Sequence, residues 1–160
     1  MRTIVITGST RGIGQGLAKS FLEQGCQVVV SGRSLSSIDQ AVQRLATVAE
    51  TERIAGMVCD VTDINQVEHL WFETIRRFGR IDIWINNAGI GHSYDLFWEI
   101  PSEEVENVVR TNLIGMMNGS RVAMREMLKQ RYGSIYNMEG MGSDGKRLQK
   151  KMTVYGASKA

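Results

Sequence analysis

The segment Thr7-Gly8-Ser9-Thr10-Arg11-Gly12-Ile13-Gly14 packs three glycines, several hydroxyls and one arginine into eight residues. Glycines at such a point permit positive φ and let backbone N–H groups approach a diphosphate with no Cβ in the way. A helix opening directly behind them adds partial positive charge. The spacing is GxxxGxG rather than the commoner GxGxxG, and the chemistry it suits is the cradling of a dinucleotide's phosphates. Near the other end of the chain, Tyr155 and Lys159 stand four residues apart, one helical turn along the same face. A tyrosine with an unperturbed pKa near 10 is a poor base at pH 7, and a neighbouring ammonium favours its phenolate.

A ribose 2′-hydroxyl is usually held by a carboxylate at the end of the second strand, about 20 residues beyond such a loop. Here that place reads Ser31-Gly32-Arg33-Ser34, with no acid. Arg33 and Arg11 together suit a 2′-phosphate, which a guanidinium fork binds in two-pronged fashion. NADP(H) is therefore expected over NAD(H); the alternative is two solvated surface arginines.

Positioning these groups requires a regular scaffold. The runs Thr3–Thr7, Cys26–Gly32, Arg53–Asp60, Ile81–Gly89 and Gly133–Met138 are β-branched and nearly continuous in hydrophobicity, as strands covered on both faces are. Helical periodicity fills the gaps. Ile13, Leu17 and Phe21, with Ala18 and Leu22, make one face, stopped by Gly25. Ile38, Ala41, Val42, Leu45 and Val48 make a second, and Ile64, Val67, Leu70, Trp71, Ile75 and Phe78 a third, closed by Gly79. A fourth helix is expected from Pro101 to about Lys129, with Glu103 and Glu104 where the helix dipole favours acids. Strand–helix alternation of this kind predicts an α/β, doubly wound (Rossmann-type) parallel sheet with helices on both faces. The 160 residues suffice for one such domain, spanning 1–160.

Four short motifs in collinear order resemble the short-chain dehydrogenase/reductase family. TGxxxGIG is matched at Thr7–Gly14, Asp-Val at Asp60-Val61 after the third strand, NNAG at Asn86–Gly89, and YxxxK at Tyr155–Lys159. The strings ITGSTRGIG, IDIWINNAG and NMEGMGSDG are similar to those of the chlorophyll(ide) b reductase group within it. The resemblance implies an oxidoreductase that transfers a hydride between a nicotinamide and a carbonyl or alcohol. It implies Tyr155 as proton donor and acceptor, Lys159 as the cation that also holds the nicotinamide ribose, and Asn112 as the residue orienting a relay water. It further implies that Gly8, Ser9, Thr10, Arg11, Gly12, Ile13, Gly14, Arg33, Asp60, Val61, Asn87, Ala88, Gly89, Tyr155 and Lys159 hold the cofactor. The family's usual serine after the fifth strand is absent, since that place reads Asn137-Met138-Glu139-Gly140. Ser143, 12 residues before Tyr155, takes the role of polarising the substrate carbonyl. Glu139 is either a loop carboxylate or a supporting group.

With 19 basic against 17 acidic side chains, the net charge of +2 gives no footprint for nucleic acid. No apolar run approaches the roughly 20 residues that span a bilayer. A strand beginning almost at once leaves no room for a transit peptide, so the expectation is a cytoplasmic protein. Cys26 and Cys59 have no metal-binding or CxxC spacing, and read as buried free thiols. Lys146, Arg147, Lys150 and Lys151 make either a solvated loop or an attractor of anions beside the substrate mouth, where Met141 and Met152 would line an apolar pocket. The chain ends one residue after Lys159, where family members continue, so it is expected to be a poor enzyme alone and a homodimer or homotetramer at full length. A small-molecule carbonyl compound is the expected partner. A 3-oxoacyl thioester reductase and a non-catalytic NADP-binding protein are the alternatives.

Overall fold

The computed structural model describes residues 1–140, 143 and 150–159. Five strands, β1 (Thr3–Ile6), β2 (Gln27–Gly32), β3 (Ile54–Val58), β4 (Ile83–Asn86) and β5 (Ser134–Asn137), form one parallel sheet in the order β3-β2-β1-β4-β5. Ile4 sits opposite Val28 on one side and Ile83 on the other. The chain winds outward from β1 through β2 to β3, then returns to place β4 on the other flank of β1. That reversal opens a crevice at the carboxyl ends of β1 and β4, where open α/β sheets bind ligands.

The alternation of side chains along each strand separates two cores. Ile4, Ile6, Val28, Val30 and Ile85 pack with Ala18 and Leu22 of α1 (Gly12–Glu23) and Leu45 of α2 (Leu35–Leu45). Val5, Val29 and Trp84 point the other way, onto Val67, Leu70 and Trp71 of α3 (Ile64–Phe78) and Val122, Ala123 and Met127 of α5 (Gly115–Gln130). Two apolar faces explain why the central strands read as unbroken hydrophobic runs. The outer strands depart from that expectation: Gly56 and Val58 of β3 and Ser134, Tyr136 and Asn137 of β5 are exposed, because each strand has a neighbour on one side only. The strands also stop short of several expected ends. Residues 87–89 leave the sheet after Asn86 and turn toward the crevice. The second helix likewise stops at Leu45 rather than reaching Val48.

Local signals set the helix ends. Asp63 caps α3 by accepting from the Asn65 N–H at 2.9 Å, and Gly79 ends it in the left-handed region at φ 78°. The long fourth helix is corrected by the structure. It runs as α4 (Ser102–Val109), one π turn over Arg110–Ile114, and then α5. A π turn inserts a residue into helical register and is frequent at functional sites; here it carries the buried Asn112. A short helix, α6 (Thr153–Ala157), bears Tyr155.

Candidate active site

The glycine loop and the exit of β4 are built against each other. Gly8 has φ 61°, and a Cβ there would stand 2.6 Å from the Ala88 Cα, so only a glycine admits this approach. Thr7 Oγ1 accepts from the Asn87 and Ala88 N–H groups at 3.0 and 3.1 Å. Asn87 Nδ2 donates back to the Thr7 and Gly8 carbonyls at 2.9 and 3.0 Å. Ser9 stands apart from the other loop residues. It is buried, donates its hydroxyl to the Ile6 carbonyl at 2.6 Å and accepts from the Ser31 N–H at 3.1 Å, which ties β1 to β2 beneath the loop.

Above the loop lies a cavity of about 610 Å³, within the range of small-molecule sites. Its walls bring together Gly8, Thr10, Arg11, Gly12, Ile13 and Gly14 with Arg33, and Asp60 and Val61 with Asn87, Ala88 and Gly89. Tyr155 and Lys159 also line it. Asp60 is partly engaged, accepting from the Thr62 N–H and hydroxyl, both at 2.9 Å. Cys59 lines the wall from a buried position. Burial, helped by the charges of Asp60 and Asp63, pushes its thiol up to about 12, so it stays protonated and is no nucleophile.

The structure adds wall residues that the sequence reading passed over. Ser34 and Ser37 face the cavity beside Arg33, and the Ser37 hydroxyl donates to the Ser34 carbonyl at 2.8 Å. The signal was the serine-rich start of α2 immediately after Arg33. Arg44 donates to the Thr10 carbonyl at 3.0 Å, an approach across 34 residues that no local pattern announces.

At the tyrosine end, Gly140 carries the geometry. A Cβ there would stand 2.6 Å from the Tyr155 hydroxyl and 2.8 Å from Lys159 Cγ, so the backbone packs closely against both groups and only a glycine admits the approach. Lys159 Nζ donates to the Met138 carbonyl at 2.9 Å. Asn112 lies behind the wall. Its Oδ1 accepts from the Ile90 N–H at 2.8 Å, while Nδ2 donates to the Ile90 carbonyl and to Ser158 Oγ, both at 2.9 Å. It thus joins the segment after β4 to the helix of Tyr155. Ser143 is not on the cavity wall. Its hydroxyl meets Glu139 Oε2 at 3.2 Å, and its N–H donates to the Gly140 carbonyl at 3.2 Å. Lys146, Arg147 and Met141 lie outside the described residues; Lys150 and Lys151 are exposed. Among the described residues no cluster of three or more potential ligands could hold a metal.

Burial lowers the pKa of Lys159 from its ordinary 10.5. The folded chain therefore holds this proton less tightly than the unfolded chain. The charged amine opposes folding at pH values below its folded pKa, and that penalty fades as pH rises toward 10.5. Removing the amine with Lys159→Met should raise the urea midpoint near neutral pH relative to the parent, with the difference shrinking as pH approaches 10.5. An equal difference at both ends of that range would show that burial of the amine does not act this way.

A crevice at the switch point, a glycine cradle and a Tyr–Lys pair on its wall define a dinucleotide-binding oxidoreductase domain. The family model described as short chain dehydrogenase matches residues 2–160, and the chain belongs to that family, whose named members are oxidoreductases. It is 43% identical to the chlorophyll(ide) b reductase NOL, chloroplastic, of Arabidopsis thaliana, over 98% of this chain and 45% of the relative. The chain thus spans less than half the length of that protein. Among solved structures it resembles "ElxO with NADP Bound", at 28% identity and TM-score 0.89, covering 99% of this chain and 62% of that one. It also resembles NAD+-bound xylitol dehydrogenase, at 26% identity and TM-score 0.90, covering 99% and 59%.

Proposed function

We propose that this chain forms the cofactor-binding and proton-transfer part of an NADPH-dependent carbonyl reductase. The observation that carries the reading is one cavity lined by both Arg11 and Arg33 and the pair Tyr155 and Lys159. The residues suit a dinucleotide, since a Cβ at Gly8 or Gly14 would close the cradle against Ala88 or Asn87. Backbone N–H groups of the loop and the N-terminus of α1 would hold the diphosphate. Arg11 and Arg33, with Ser34 and Ser37, would hold a 2′-phosphate. When bound, the cofactor supplies the hydride. The Tyr155 hydroxyl then gives the proton to the developing alkoxide, and Lys159 favours the phenolate left behind. Ser143, off the cavity wall with its hydroxyl on Glu139, would donate to the substrate carbonyl on turning from that carboxylate, and Asn112 steadies the frame between Ile90 and Ser158 and would orient a relay water to Lys159.

The name of the 43% identical relative supports a formyl-bearing pigment as substrate. The exposed Met117, Met124 and Leu128 of α5 support self-association as a dimer or tetramer. Two buried free thiols suit a reducing compartment such as the cytoplasm. The plant relatives are named as chloroplastic, and no helix among the described residues is long and apolar enough to cross a membrane.

The test is NADPH oxidation against a panel of carbonyl compounds, including formyl-bearing pigments. Ser143→Ala should lower kcat on the order of 10²-fold, and Glu139→Gln far less. Turnover like the parent's in Ser143→Ala, with loss in Glu139→Gln, would move the carbonyl donor from the serine to the carboxyl. NADPH binding by the protein at its full length with no oxidation by any compound would favour the non-catalytic alternative.

A further inference from the structure

Arg44 stands in the last turn of α2, where a cation complements the helix dipole. Its guanidinium nevertheless leaves that helix for the glycine loop, and Nη2 donates to the Thr10 carbonyl at 3.0 Å. The same stretch of loop is fastened at two other points. The Thr10 side chain lies over the end of β2, where a Cβ on Gly32 would stand 2.8 Å from Thr10 Cγ2. Just before it, the Ser9 N–H donates to the Ser31 carbonyl at 2.9 Å, and the Ser9 hydroxyl accepts from the Ser31 N–H at 3.1 Å. Those two contacts hold the loop to the sheet. The bond from Arg44 is the one that holds a peptide group of the loop to α2.

Fixing that carbonyl fixes more than one atom. In a trans peptide the C=O and the following N–H point in opposite directions, so Arg44 also sets the direction of the Arg11 N–H. The N–H groups of Thr10, Arg11 and Gly12 find no acceptor among the described residues, and a run of open N–H groups suits an anion. Were the Thr10 peptide to turn over, a carbonyl oxygen would take the place of one of those donors and repel the anion. No carboxylate competes for the charge nearby: Arg11, Arg33 and Arg44 enter no ion pair among the described residues. Both α1 and α2 also begin without an acidic residue in the first turn. We propose that Arg44 is a positioning residue for the choice of cofactor. Through the Thr10 carbonyl it holds the peptide that carries Arg11, so that Arg11 is preset on the cavity wall for a 2′-phosphate. This inference rests on the NADPH reading and adds to it a determinant that is not itself part of the cavity lining.

The test is a titration of NADPH and of NADH into the parent and its variants, read from nicotinamide fluorescence. Arg44 is exposed, so replacing it leaves the core untouched. Arg44→Met should weaken NADPH about fivefold, the size expected of an exposed charged hydrogen bond. NADH affinity should hardly change. Arg44→Lys should recover most of the loss, because an ammonium can still donate to the Thr10 carbonyl. In an Arg11→Ala background, Arg44→Met should cost little further NADPH affinity, since its effect passes through Arg11. An equal loss in both backgrounds would overturn the inference, by showing that Arg44 meets the phosphate with its own charge. Equal weakening of NADPH and NADH would also overturn it, making the bond to Thr10 a brace for the loop as a whole. So would undiminished NADPH affinity in Arg44→Met. Each of these outcomes leaves the NADPH reading standing, provided that the parent prefers NADPH. A parent that binds the two cofactors equally would remove that reading, and this inference with it.

Discussion

Tyr155→Phe is expected to remove carbonyl reduction while leaving NADPH affinity nearly unchanged. Phenylalanine keeps the ring that lines the cavity and loses the one group that can give a proton to an alkoxide. That hydroxyl packs against the backbone of Gly140, where even a single methyl would stand 2.6 Å away. General acid catalysis by a positioned group contributes roughly 10²–10⁴-fold, and the loss should fall on kcat, because the proton is needed only in the transition state. Lys159 is held by the Met138 carbonyl rather than by the tyrosine, so its position survives the substitution. A Tyr155→Phe variant turning over at the parent's rate would place the proton donor elsewhere.

The second large effect concerns the two arginines on the cavity wall. Replacing both Arg11 and Arg33 with alanine should cost about 2–4 kcal/mol of NADPH affinity, from charged hydrogen bonds each worth about 1.5–3 kcal/mol. NADH affinity should be spared. Both guanidinium groups are exposed in the free chain, so salt screens them, and the effect should be largest at low ionic strength. Ser34 and Ser37 would remain to contact a phosphate, which sets a floor under the loss. Equal weakening of both cofactors in a titration would show that the arginines do not read the 2′-phosphate.

How far the sequence disclosed this site follows from how local each signal is. The glycine loop could be read because its spacing, the strand before it and the helix after it lie within about twenty consecutive residues. Tyr155 and Lys159 could be read because one helical turn sets their separation. The missing acid after β2 was a statement about a single position. Relations that cross the fold were not legible. Nothing near Ser9 shows that its hydroxyl serves Ile6 and Ser31 beneath the loop rather than a ligand above it. The π turn is invisible to hydrophobic periodicity, because Val108 and Val122 lie on buried faces either side of it and an unbroken helix would suit each segment separately. Gly140 looked like a departure from a motif; only the packing of α6 against it gives its lack of a side chain a meaning.

The bonds of Asn112 make a side chain stand in for a peptide group. Its carboxamide presents one acceptor and one donor to the N–H and carbonyl of the same residue, Ile90, as a neighbouring strand would. The Ile90 backbone is thereby satisfied without a neighbouring strand on that side. A true strand there would have walled off Asn87, Ala88 and Gly89. By borrowing one amide from a π turn, the fold satisfies the Ile90 backbone while Asn87, Ala88 and Gly89 still line the cavity. Substituting Asn112 should therefore disturb the crevice as a missing strand would, even though its own side chain forms no part of the wall.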